Sequence, residues 1–275
     1  MGSFGGHAIP GFFLCAIGFW WMINICIRYY SSRKEFKSAL SFTSPSMCCK
    51  KWPLDILIVL SICTVALAGQ IFVLKTRDIP EGLIRGEYYE HAVLFGIFIL
   101  MSLVELLRFF KLSLPQNFEY LSALGAFSLF ALVLVLHARG LTPMHSHLHM
   151  ILAYTVTALC ISLAIEMYNR KSFTAAVSRG YFTFLSGSWI IQIGLFLYPL
   201  KKESVWAGDL HSEIVLSTMI FSWHCAGIFA VLALFVVLLG ICYGDPASAL
   251  SQPKSTETLI ESENKIMSGA NGGIV

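Results

Sequence analysis

The stretch LHARGLTPMHSHLHMIL, residues 136–152, places His137, His145, His147 and His149 within thirteen positions, bracketed by apolar sequence. Imidazole is the commonest metal ligand and the side chain whose unperturbed titration falls nearest neutral pH. Three more histidines, His7, His91 and His211, stand near the starts of other apolar runs, and His224 lies inside one. Several neutral imidazoles in a compact site suit zinc, which takes three or four such ligands at about 2.0–2.1 Å. Copper and nickel accept the same ligand type. The candidate metal set is therefore His91, His137, His149 and His211, with His7 as a lid ligand. Glu90, Asp209 and Glu213 stand beside members of that set as candidate acids or bases. If a helix starts near His145, then His145 and His149 are four apart and share a face. A plainer reading competes: histidine suits a membrane interface, where its polar tip meets water. No H-E-x-x-H element supports a metal.

The elements that must hold these residues follow from composition. Of 275 residues, 56% are hydrophobic and only 13% charged, and mean hydropathy is +0.72. A soluble domain carries about 25% charged residues, so this chain lacks the polar surface to cover a soluble globule. Crossing a bilayer takes about 20 mostly apolar residues, and in lipid the backbone must be helical. Seven segments qualify, at about 8–28, 54–74, 89–110, 120–138, 148–168, 181–200 and 213–242. The fold class expected is all-α: a polytopic seven-helix transmembrane bundle over residues 1–243, with a disordered cytosolic tail over 244–275 that is rich in Ser, Glu, Gly and Asn.

Basic residues set the orientation. Eleven Lys and Arg, including Arg28, Lys50, Lys51, Arg108, Arg170 and Arg179, fall on one side, against six on the other. The richer side is expected to be cytosolic, which makes the N-terminus exoplasmic and the tail cytosolic. The first segment lacks a basic leader and a small-residue cleavage site, so it is expected to remain in the mature protein. Residues 29–51 read as a basic, Ser-rich cytosolic loop. Within it Cys48 and Cys49, beside Lys50, Lys51 and Trp52, are candidates for lipidation by S-palmitoylation. The other cysteines read as small buried hydrophobes. Near balance of 19 basic and 16 acidic residues gives no nucleic-acid signal.

On this topology seven of the eight histidines fall at exoplasmic helix ends, and the eighth, His224, is mid-helix. Glu105, Glu166, Gln192 and His224 are expected to be buried polar groups within the membrane domain. Ionisable groups there are costly and are functional candidates by default. Arg108 follows Glu105 by three residues and Arg170 follows Glu166 by four, so helix-end ion pairs would account for both acids. Gln192 and His224 sit at similar depth on consecutive helices, and a hydrogen bond between them is expected.

Three stretches stand out together: MGSFGGHAIPGFFLCAIGFWW at the start, GSWIIQIGLFLYP at 187–199 and FSWH at 221–224. In the order and spacing of these residues the chain resembles the transmembrane protein 45 family, and within it the epididymal branch. The resemblance spans nearly the whole membrane domain but not the tail. It implies a seven-helix, multi-pass protein whose biochemical function is largely unknown. It also implies shared histidines matching His7, His91, His137, His149, His211 and His224, and shared acids matching Glu105 and Glu166. It further implies that Ser188, Trp189, Gln192, Tyr198 and Pro199, in the 187–199 stretch ending in LYP, are shared. His145 and His147 fall outside the shared pattern, which narrows the candidate core to His137 and His149 with partners from other helices.

Three functions remain in view. The first is a non-catalytic membrane protein of the secretory pathway or plasma membrane, acting through unknown protein partners and membrane lipid or in trafficking. The second is an intramembrane hydrolase whose exoplasmic histidines hold zinc and activate water toward lipid. The third is a proton-coupled transporter using the histidines and the glutamates as two polar layers. Absence of any complete catalytic motif favours the first.

Overall fold

A computed structural model of the chain describes residues 4–43, 52–76, 83–139, 141–199 and 210–243. Among these residues there are seven long helices and no strand: α1 Phe4–Ser31, α2 Leu54–Thr76, α3 Leu83–Phe109, α4 Phe118–His137, α5 Pro143–Tyr168, α6 Phe173–Leu197 and α7 Leu210–Tyr243. All seven are long and apolar enough to cross a membrane. The expected tail over 244–275 and the lipidation candidates Cys48 and Cys49 lie outside the described residues.

Two boundaries depart from hydropathy in ways that matter. Pro143 opens α5 at its first turn, where its missing N–H costs nothing. That early start puts His145 and His149 one turn apart on the same face. α6 begins at Phe173, eight residues before the apolar run, behind a Ser172 cap whose hydroxyl accepts from the Ala175 amide. The extension carries Arg179 into the bundle, fully buried, where hydropathy had placed it in a cytosolic loop.

The helices form a chain of neighbours: α2 packs on α3, α3 on α4, α4 on α5, α5 on α6 and α6 on α1, while α7 lies outside against α6, α1 and α5. More than half of the α5 and α6 spans is buried, against 6% of α7. The pair α1 and α6 is antiparallel and packed backbone to backbone. Gly11 and Gly18 on α1 face Gly187 and Gly180 on α6. A Cβ built on Gly187 would stand 2.6 Å from the Gly11 carbonyl oxygen, and one on Gly18 would stand 2.9 Å from that of Gly180. Helices in lipid gain nothing from the hydrophobic effect against each other, so small residues that allow close van der Waals contact select the partner.

The segment after α1 is folded into the bundle end rather than lying in solvent. Phe36, Ser38, Leu40 and Phe42 are buried, while Lys37 and Thr43 between and beyond them are exposed. This period-two alternation is that of an extended chain with one face inward.

Candidate functional site

Polar side chains gather at both ends of the bundle. At the end that carries the N-terminus, His149 on α5 is 6% exposed and sits among other imidazoles. Ring centroids lie 4.9 Å away for His145, 5.3 Å for His137 and 6.2 Å for His7. The His149 Nδ1–H donates to the His145 carbonyl oxygen at 2.9 Å, which leaves Nε2 as the unprotonated acceptor of a neutral ring. His137 Nδ1 pairs with Glu90 Oε2 of α3 at 2.8 Å. His7 packs on Tyr198 at 5.7 Å and against the Cβ position of Gly194.

So the structure brings together His7, His137 and His149 of the candidate metal set, and adds His145, which the family resemblance had set aside. It does not bring in His211, which is exposed in the first turn of α7 without a ring contact to the others among the described residues. The His91 ring lies 6.5 Å from Phe95 of its own helix. His147 turns the other way and bonds Thr218 of α7 at 3.0 Å. Glu90 serves His137 rather than its chain neighbour His91, Glu213 is half-buried on α7, and Asp209 lies outside the described residues. Among the described residues no three His, Cys, Asp or Glu side chains are arranged to hold a metal ion. Ring contacts and the His137–Glu90 pair tie α1, α3, α4 and α5 together at this end.

Mid-bundle, the expected bond between Gln192 and His224 is not made. His224 Nδ1 lies 3.2 Å from Ser188 Oγ, whose own hydrogen goes to the Leu185 carbonyl oxygen at 3.0 Å. The imidazole is therefore the donor. Ser188 is one helical turn before Gln192 and nearer the depth of His224. Gln192 is half-buried and has no hydrogen-bond partner among the described residues. Ser188→Ala should lower stability by about 0.6 kcal/mol, the average for such bonds in membranes. Gln192→Leu should leave it unchanged. Unfolding of the two variants in mixed micelles checks both, and equal losses would contradict the assignment.

The opposite end holds a network of buried charge. Arg179, 0% exposed, forks onto Glu166, also 0% exposed, with Nε 2.7 Å from Oε2 and Nη2 3.3 Å from Oε1. Its remaining N–H groups reach the Ala39 carbonyl at 2.9 Å and the Leu40 carbonyl at 3.3 Å, and its guanidinium lies 4.4 Å over the Trp21 ring. Glu166 also accepts from Tyr120 Oη at 2.9 Å. Trp21 Nε1 donates to Asp55 Oδ2 at 3.3 Å, and Asp55 further accepts from the Phe42 and Ile56 amides at 2.8 and 2.9 Å. Arg170 donates twice to the Ser38 carbonyl and contacts Glu119, which also pairs with Arg108 at 2.5 Å.

Both helix-end ion pairs expected from spacing are thereby replaced. Glu166 takes Arg179 from the next helix instead of Arg170, and Arg108 takes Glu119 instead of Glu105. The reason is the inserted segment. Its backbone is neither helix nor strand, so its carbonyls need donors from elsewhere when buried. Arg170 and Arg179 supply them across the bundle. Glu105, 7% exposed, keeps the Ser41 side chain as its hydrogen-bond partner.

Over residues 116–237 the chain matches a family model described as DUF716, a family of unknown function. That stretch runs from α4 into α7 and so includes Glu119, Glu166, Arg170, Arg179, Ser188 and His224, together with three histidines of the N-terminal cluster. Transmembrane epididymal protein 1 of Rattus norvegicus is 25% identical over 238 residues, covering 82% of this chain and 76% of the relative. Transmembrane epididymal protein 1 of Homo sapiens is 24% identical over 156 residues, covering 55% of this chain and 56% of the relative. The chain is thus an integral, multi-pass membrane protein similar to transmembrane epididymal protein 1 and, through its second half, to a family whose function is unknown.

Proposed function

We propose that this chain is a non-catalytic member of the transmembrane protein 45 family that acts through protein partners in the plasma membrane or secretory pathway. The N-terminus and the histidine cluster face the exoplasm, and the charged network and the tail face the cytosol. The orientation rests on the basic asymmetry of the loops, which stays at ten to six once the buried Arg179 is set aside.

The observation that carries the partner reading is Trp223. Its side chain is 73% exposed on α7, thirteen residues and roughly 20 Å from the start of that helix. That depth is near the middle of a bilayer, not at the interface where tryptophan is usually found. Its indole N–H has no hydrogen-bond partner among the described residues. An exposed donor at that depth is stabilised by an acceptor from a second membrane helix. The buried Arg179 and Glu166, by contrast, pair with each other inside the bundle.

A photo-crosslinking residue at position 223, in intact cells with tags on both termini, tests the reading. The expected result is a discrete heavier band containing a second protein in fixed ratio, reduced at least fivefold in a chain carrying Ser222→Leu. In unpermeabilised cells the N-terminal tag should react with antibody and the C-terminal tag should not. Crosslinks to lipid alone would overturn the partner reading, and an accessible C-terminal tag would overturn the orientation.

A further inference from the structure

At the edge of the charged network lies a cavity of about 170 Å³, lined in part by Ser41, Thr43, Pro53, Glu105, Arg108 and Phe109, of which Arg108 also belongs to the network. It sets a buried acidic side chain beside an exposed basic one. Glu105 is 7% exposed and, among the described residues, has no carboxylate-to-cation contact within ion-pair distance. The other buried acids are matched: Glu166 by Arg179, Glu119 by Arg108 and Arg170, and Asp55 by three N–H donors. Arg108 is 44% exposed at its side chain and commits one nitrogen to Glu119, so most of its five N–H donors remain for a ligand.

We infer that this cavity binds the headgroup of an ethanolamine phospholipid, with the ammonium on Glu105 and the phosphate on Arg108. A primary ammonium carries three donors, enough for the Glu105 carboxylate and the Ser41 hydroxyl together. A choline headgroup has no N–H to give, and a serine headgroup would bring a second carboxylate toward Glu105. Arginine matches phosphate geometry with paired N–H groups. The lipid source, rather than a free amine phosphate, follows from the surroundings. Trp52, Leu54, Leu107 and Phe110, chain neighbours of the lining residues Pro53, Arg108 and Phe109, are exposed and apolar, at 51, 40, 40 and 61%. Such a flank suits acyl chains. The site is on α3 and the segment after α1, away from Trp223 on α7, so it stands or falls independently of the partner reading.

The test uses the full chain, delipidated in detergent and incubated with equimolar palmitoyl-oleoyl phosphatidylethanolamine and phosphatidylcholine, with retained lipid counted by native mass spectrometry. One phosphatidylethanolamine should be retained with at least tenfold preference. Glu105→Gln, of the same shape, should reduce the preference below twofold. Thr43→Trp, which fills the cavity from an exposed position, should do the same and decides the matter if Glu105→Gln fails to fold. Added O-phosphoethanolamine should displace the lipid. Equal retention of both lipids by the unaltered chain would overturn the inference, as would a preference that survives in folded Thr43→Trp. Binding of O-phosphoethanolamine without retention of either lipid would overturn the lipid assignment in favour of a soluble amine.

Discussion

Replacing Gly187 with leucine should leave almost no correctly folded chain in detergent extracts, and Gly18→Leu should do the same. A Cβ on Gly187 would lie 2.5 Å from the Cys15 amide nitrogen and 2.6 Å from the Gly11 carbonyl oxygen. On Gly18 it would lie 2.5 Å from the Phe184 amide nitrogen and 2.9 Å from its Cα. These are backbone atoms inside helices, so no rotamer change relieves the contact and α1 must move away from α6. Overpacking costs typically 1–3 kcal/mol where side chains can adjust, and more where they cannot. Alanine at either position should therefore cost about 3 kcal/mol and leucine more than the bundle can absorb. The control is internal. Gly69 and Gly125 are also mid-helix, but a Cβ there meets nothing within 4 Å. Gly125→Ala should instead stabilise by about 0.5–1 kcal/mol, the ordinary helical penalty of glycine. Size-exclusion profiles and thermal unfolding of the five variants separate the two classes. A Gly187→Ala chain as stable as the parent would show that the α1–α6 contact is not close.

Hydropathy located all seven helices because span length and apolar content are a direct requirement of the bilayer. It could not say which helices touch, since a face toward lipid and a face toward another helix are equally apolar. The signal for α1 and α6 was nonetheless in the residues. Gly11 and Gly18 are seven apart, as are Gly180, Gly187 and Gly194, and two of these stretches had already stood out for other reasons. The packing of the segment after α1 is likewise hidden from hydropathy. Its serines and lysines mark a cytosolic loop, and the alternation in FKSALSF marks one buried face of it. At the histidine end, position along the chain places His7, His137 and His149 together, and their rings lie close to one another. His211 shares with them only its place at a helix start, and α7 stands outside the bundle. His145 lies outside the family pattern, but its i, i+4 spacing to His149 within α5 sets the two rings together. Arg179 and Glu166 were individually visible, but their pairing depends on α5 and α6 lying side by side, which local spacing does not show.

That pair should carry the largest polar contribution in the molecule. Arg179→Leu is expected to destabilise the chain by about 3–5 kcal/mol, since it leaves Glu166 buried at 0% exposure without its cation. Glu166→Leu leaves the guanidinium uncompensated and should cost a similar amount. If the cost is mainly that of an orphaned charge, the double replacement should recover more than half of either single loss, because apolar pairs often substitute for buried ion pairs. Recovery should stop short of complete for a specific reason. Arg179 also donates to the Ala39 and Leu40 carbonyls, and leucine cannot. The double variant should therefore keep its helices while the segment after α1 loosens. Hydrogen exchange reads this directly: the Ser38 and Phe42 amides, held by the Arg170 carbonyl at 2.7 Å and by Asp55 at 2.8 Å, should exchange faster than in the parent. Arg170→Leu is the milder comparison. Its side chain is 13% exposed, and its partner Glu119 keeps Arg108, so about 1–2 kcal/mol is expected. Full recovery in the double variant, with Ser38 and Phe42 still protected, would mean that the segment is held by Phe36, Leu40 and Phe42 packing alone and that Arg179 serves only Glu166.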